Sequence, residues 1–112
     1  MGKILYGTPP TEHDIDDRVL AHVQVIVMNK FRRNESFPFN LEVSHLNGSG
    51  RHALWMHPTI PVQFSFYGSR APAINTAWVQ AMMDEANSGR GLRILPEPEP
   101  IREPVRLNDV AA

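Results

Sequence analysis

The sequence predicts an α+β fold in two layers: an antiparallel sheet, built from a three-strand meander plus short N- and C-terminal strands, with two helices on one face. Three observations predict it. Val62, Phe64 and Phe66 alternate with Gln63, Ser65 and Tyr67, the period of a strand with one buried side. Beyond the break Gly68-Ser69-Arg70-Ala71-Pro72 the period changes, and Ile74, Ala77, Trp78, Ala81 and Met82 recur at the spacing of one helix face. Upstream, Phe37, Phe39, Leu41 and Val43 alternate with Ser36, Pro38, Asn40 and Glu42, a second half-buried strand.

In chain order, Lys3 to Tyr6 reads as a short strand punctuated by Gly7-Thr8-Pro9-Pro10, and Glu12 to Ile15 returns beside it as a hairpin. Val19, Leu20, Val23, Ile26, Val27 and Phe31 then line one face of a helix of about 16 residues, with Asp16 as its N-cap. The β-branched run VQVIVM suits a strand as well. Its flanks decide for a helix, because Asp14, Asp16 and Asp17 precede it and Lys30, Arg32 and Arg33 follow, the order that complements a helix dipole. Val25 and Met28 are left on a flank, available to a second helix or a second subunit.

The meander takes Ser36 to Val43, Arg51 to His57 and Val62 to Tyr67, joined through the Asn47-Gly48-Ser49-Gly50 turn and a connection bracketed by Pro58 and Pro61. Pro38 cannot donate a ladder hydrogen bond, so its strand lies at an edge or has that position at its outer margin. In RHALWMH two registers fit: Leu54 and Met56 inward with Trp55 outside, or Trp55 inward with Ala53. The second helix starts after Pro72, runs to about Asn87 and stops at Ser88-Gly89-Arg90-Gly91. Leu92 to Leu95 forms the last strand of a single domain spanning 1–95. Residues 96–112, opening Pro96-Glu97-Pro98-Glu99-Pro100, read as an extended or disordered tail.

Charge is close to balanced, with 11 basic and 12 acidic residues, but Glu97, Glu99, Glu103 and Asp109 against Arg102 and Arg106 leave the tail acidic and the domain weakly basic. That excludes the strong positive footprint of a typical duplex-binding domain. With no cysteine, disulfides, thiolate metal sites and cysteine nucleophiles are excluded together. No run approaches the roughly 18 apolar residues of a membrane span, and MGKILYGTPP lacks the long apolar segment of a secretory signal. A cytoplasmic protein without membrane contact is expected.

Two groups of residues are candidate sites. Ser69 and Arg70 at the predicted entrance to the second helix suit an anion, since helix N-termini offer free N–H groups and guanidinium adds a fork of donors. The same residues also suit plain turn geometry and capping, and Pro72 removes one donor from the predicted first turn. Arg51, Trp55 and Tyr67 suit an aromatic and basic face that stacks single-stranded bases, although the strands lack an RNP1-like pattern and Trp55 equally suits the core. His45, His52 and His57 do not share a strand face, so no metal is expected. The sequence contains no G-x-S-x-G elbow, P-loop or dinucleotide fingerprint, and neither a cofactor nor catalysis is expected.

The segments MGKILYG, IDDRVLAHVQVIVMNKFRRNESF, FYGSR followed by Pro72, Asn75, Ala77 and Trp78, and the closing ANS-GL-PEP together resemble a family of small, uncharacterised actinobacterial proteins often labelled ATP-dependent DNA ligase. The resemblance covers about residues 1–95 and implies no established activity, fold or catalytic residue. Adenylating ligases carry K-x-D-G. Lys3 is followed by Ile4-Leu5-Tyr6 and Lys30 by Phe31-Arg32-Arg33, so neither lysine fits. The expected function is a non-catalytic binding or interaction module that associates with itself, as a homo-oligomer, or with another protein. The alternative is a single-stranded nucleic-acid-binding or DNA-transaction accessory protein.

Overall fold

The structure is a computed structural model that describes residues 1–45 and 48–100, of which 43–45 and 48–49 are described by their backbone alone. It contains β1 (Gly2–Tyr6), β2 (Thr11–Ile15), α1 (Asp17–Arg32), β3 (Phe37–His45), β4 (Gly48–Met56), β5 (Val62–Ser65), α2 (Thr76–Ala86) and β6 (Leu92–Arg93). The fold is α+β, as the periodicities predict. The burial of Val43, part of the turn around Asn47 and the tail from 101 onward lie outside the described residues.

The strands group differently from a single meander. They form two three-stranded sheets, β2-β1-β5 and β4-β3-β6. β5 leaves β4 and runs antiparallel to β1, with Lys3 opposite Ser65 and Tyr6 opposite Val62. Two contacts explain the switch. The Tyr6 hydroxyl donates to the Trp55 carbonyl and accepts the His57 N–H, so a side chain of the first sheet meets β4 where a continuing meander would pair. The Gly7 N–H then draws the β4–β5 connection toward β1 by donating to the Pro61 carbonyl at 3.0 Å. On the other side, β6 runs parallel to β3, with Phe39 opposite Leu92 and Asn40 opposite Arg93. β3 is therefore central, and Pro38 sits just before the two residues that β6 pairs.

Helix α1 begins as expected: Asp16 caps it by accepting the Arg18 N–H, and Leu20, Val23, Ile26 and Val27 are fully buried. It packs on β1 and on α2, while α2 packs on β6 and β3, so each helix serves a different sheet. Helix α2 starts later than Pro72 suggests. Asn75 is its N-cap, accepting the Ala77 and Trp78 N–H groups, because an asparagine there satisfies two free donors. Ile74 consequently precedes the helix and is 43% exposed instead of continuing its stripe, whereas Trp78 and Met82 are buried as predicted. Val62, Phe64 and Phe66 pack against the core only half-buried.

Polar contacts close the seams. His22, fully buried on α1, accepts the Asn75 N–H at Nε2 and so donates from Nδ1 to the Arg18 carbonyl at 2.6 Å. Glu97 receives Arg18 Nε at 2.9 Å and Nη2 at 2.6 Å, and Asn75 Nδ2 at 2.9 Å. The Arg18 guanidinium, and after it the Asn75 amide, lower its carboxyl from 4.5 to about 2. Asp17 accepts the N–H groups of Gly68 and Tyr67, which hold its carboxyl below the usual range. Gly91 has a positive φ and lies so close to Pro38 that a Cβ would overlap that ring and carbonyl, which pins β6 to β3.

Trp78 is only 4% exposed, donates from Nε1 to the Leu95 carbonyl at 2.8 Å and packs at a tilt against His22, ring centroids 4.5 Å apart. Trp78→Ala should lower unfolding free energy by about 3–5 kcal/mol in urea titration; an unchanged midpoint contradicts this core. Glu97 favours the fold in its ionised form, so its contribution is present above about pH 4.5 and is lost as pH falls toward 2. Glu97→Gln should lower Tm at neutral pH, with the gap to wild type closing across that window. A gap constant with pH removes the Arg18 pairing as its cause.

Candidate functional site

The strongest candidate lies on the sheet β4-β3-β6, whose two faces differ sharply. Phe37, Phe39 and Leu41 point into the core beside Met56, Leu54 and His52 of β4. The other face carries Pro38, Asn40 and Glu42 beside Trp55, Ala53 and Arg51. Trp55 is 57% exposed there, so the register with Leu54 and Met56 inward is the one adopted.

β6 is too short to cover β3. It pairs only Phe39 and Asn40, whereas β3 continues to His45, and beyond Asn40 this strand edge has no partner strand among the described residues. The predicted strand to Leu95 stops at Arg93 for identifiable reasons. Trp78 takes the Leu95 carbonyl, Pro96 has no N–H to offer, and Glu97 is held by Arg18 and Asn75. The chain is drawn off the sheet, and a groove of about 630 Å³ opens between β3 and Ile94–Pro96. That volume is within the range of ligand sites.

Arginines dominate its polar lining. Arg51 enters from β4, Arg90 from the turn after α2 and Arg93 from β6. Arg90 Nη2 and Arg93 Nε donate to the two oxygens of Glu85 at 3.0 and 2.5 Å, and those pairings, the one with Arg93 foremost, hold the Glu85 carboxyl below its ordinary range. Each guanidinium still has further donors to offer. Asn40 fixes the turn by donating to the Arg90 carbonyl at 3.0 Å. Arg51 has no ion-pair partner among the described residues; Glu42, opposite it in register, is the acidic member of the lining. Leu41, Ile94 and Leu95 supply an apolar wall. The groove thus combines an unpaired strand edge, apolar surface and arginine donors, an arrangement suited to an extended anionic ligand.

The residues singled out from sequence occupy three places. Arg51 and Trp55 share the outer face of β4. Tyr67, 84% exposed, lies past Ser65 at the far end of β5, its amide held by Asp17, and does not join them: Trp55 meets the opposite end of β1, at Tyr6. Ser69 and Arg70 are exposed in the turn after β5 and do not flank α2, whose Ala77 and Trp78 N–H groups are taken by Asn75. His52 packs edge-on against His13 with ring centroids 5.2 Å apart, and burial, then His52, lowers the His13 pKa. His57 instead accepts the Thr59 N–H. Among the described residues no three His, Cys, Asp or Glu side chains are placed to hold a metal ion. Arg90 and Arg93 escaped sequence reasoning because Gly89 and Gly91 mark a helix end first. The available signal was an arginine on each side of Gly91.

A family model described as a domain of unknown function (DUF7882) matches residues 1–97. No curated relative and no solved structure matches the chain.

The contrast between the tryptophans is measurable. Trp55→Phe should leave emission from the buried Trp78 that resists acrylamide, and Trp78→Phe should leave readily quenched emission. The opposite pattern places Trp55 in the core.

Proposed function

The chain belongs to the DUF7882 family, and from that premise we propose that it is a non-catalytic binding module whose groove beside β3 takes an anionic ligand. The observation that carries the reading is the meeting of Arg51, Arg90 and Arg93 around an uncovered strand edge. Guanidinium forks recognise planar carboxylates and phosphates, and partial enclosure beside Leu41 and Leu95 strengthens such pairing relative to open water.

A second reading rests on a different feature, the exposure of Trp55 on the face that also carries Arg51. That pairing supports a stacking platform for single-stranded nucleic acid, with Arg51 on phosphate. The resemblance to actinobacterial proteins labelled as ligases agrees with a DNA-linked accessory role. Two features weigh against it: Glu42 sits in the same lining, and Tyr67, the second aromatic, is elsewhere. Among the described residues no helix is long and apolar enough to cross a membrane.

Retention on immobilised poly-L-glutamate tests the leading reading. The protein should be retained at low ionic strength and released as salt rises, and Arg51→Glu should weaken retention while the far-UV circular dichroism stays native, with a small fall in Tm because the new carboxylate faces Glu42 across the strand pair. Retention unaffected by Arg51→Glu removes the groove as the anion site. Quenching of Trp55 emission by a mixed single-stranded oligonucleotide, absent with poly-L-glutamate, favours the second reading.

A further inference from the structure

We infer that the partner of this groove is an acidic peptide segment that joins β3 as an added strand. The inference rests on the anion-binding reading and names the ligand class. Past Asn40 the backbone of β3 is extended but unpaired on the β6 side among the described residues, and such an edge offers alternating N–H and C=O groups to an incoming strand. β6 already shows the geometry, since its two residues pair in parallel with Phe39 and Asn40 before Trp78 and Glu97 lead the chain away. A peptide laid along the vacated edge continues that pairing.

The groove's chemistry then sets the sequence pattern of the ligand. Successive side chains of a strand point to opposite faces. On one face they meet Leu95 and the margin of the core at Leu41, and on the other they come within reach of Arg51. The fitting segment therefore alternates aliphatic and acidic residues. Glu85 is the internal precedent for the acidic positions, because its carboxylate is already gripped by Arg90 and Arg93 with donors on both guanidiniums left over. Two competing occupants fit less well. A second copy paired edge to edge across a two-fold axis sets Arg51, Arg90 and Arg93 against their own counterparts. A polyphosphate strand meets the carboxylate of Glu42 and gains little from the aliphatic wall.

The test uses the full chain and a short peptide of alternating valine and glutamate, alongside the same peptide N-methylated at every second amide. Isothermal titration gives affinity, and amide hydrogen exchange followed by NMR reads the edge. The alternating peptide should bind and slow exchange at the one of the Leu41 and Glu42 amides that faces away from β4, leaving its β4-paired neighbour unchanged. N-methylation should weaken it by about tenfold or more, since each methylated amide leaves a β3 carbonyl without its donor. Arg51→Glu should weaken both peptides. Equal affinity for the N-methylated peptide, or binding without slowed exchange at β3, overturns strand addition while leaving the anion site standing. Failure of both peptides to bind a protein that poly-L-glutamate retains overturns only the peptide assignment, and failure of all three anions overturns the underlying reading too. A single-stranded oligonucleotide that displaces the peptide and binds more tightly assigns the groove to nucleic acid instead. A protein that sediments as a dimer with β3 amides protected before peptide is added assigns the edge to a second copy.

Discussion

The fold depends on α1 being buried along more than one side. The two three-stranded sheets share one hydrophobic core, and each helix covers a different one. Leu20, Val23, Ile26 and Val27 are without exposure because α1 fills the space between β1 and α2. Burial that complete admits a polar side chain only where it is satisfied, and both ring nitrogens of His22 are. The contact of His22 with Asn75, the N-cap of α2, is matched at the far end by Lys30 donating to Asn87, its C-cap. The helices therefore run in the same sense and are tied at both ends, which brings the two sheets into one core.

That clamp also explains why a groove exists. Asn75 reaches in two directions, toward His22 through its backbone and toward Glu97 through its side-chain amide. Glu97 adds Arg18 from the first turn of α1. A strand continuing from β6 along β3 is incompatible with these bonds, because Leu95 and Glu97 are committed to α2 and α1. The uncovered edge of β3 is thus a consequence of how the helices are joined, and the packing that completes the core leaves backbone groups available beside it.

Much of this architecture was legible in the residues, and what was not shares one cause. Alternation in Phe37 to Leu41 and the stripe from Leu20 to Val27 report which side of an element is buried, and both hold. Periodicity says nothing about which strand lies next door. The β4–β5 connection is as short as a meander requires, yet β5 pairs with β1 because of the Tyr6 hydroxyl and the Gly7 amide, contacts between residues distant in sequence. Ile74 matched the helical spacing of Trp78 only because i, i+4 continues across a cap, and Asn75 was the better boundary marker. Of the candidate sites, Arg51 and Trp55 share a face because they belong to one strand. Tyr67 falls elsewhere because β5 pairs with β1 and not with β4, and Ser69 and Arg70 fall short of α2 because the helix begins only after its Asn75 cap. Arg90 and Arg93 were hidden by a glycine signal that is correct for helix termination and silent about what the flanking side chains reach.

Glu85 distinguishes the groove from a bare arginine cluster. Its carboxylate is nearly buried, and it holds two guanidiniums at the rim by consuming one donor from each. Removing it would raise the positive charge and also free both side chains to turn into solvent, where an exposed pair is worth little. With it in place, Arg90 and Arg93 are each held through one donor, so part of the entropy of fixing them is borne by the fold. The local field is then weak at long range, because Glu42 and Glu85 offset much of it, and strong only where a ligand oxygen meets a free N–H. On the proposed reading, a ligand held through such contacts would gain more from matching the spacing of the donors along the β3 edge than from total charge, so an ordered strand would bind more tightly than a diffuse polyanion such as poly-L-glutamate.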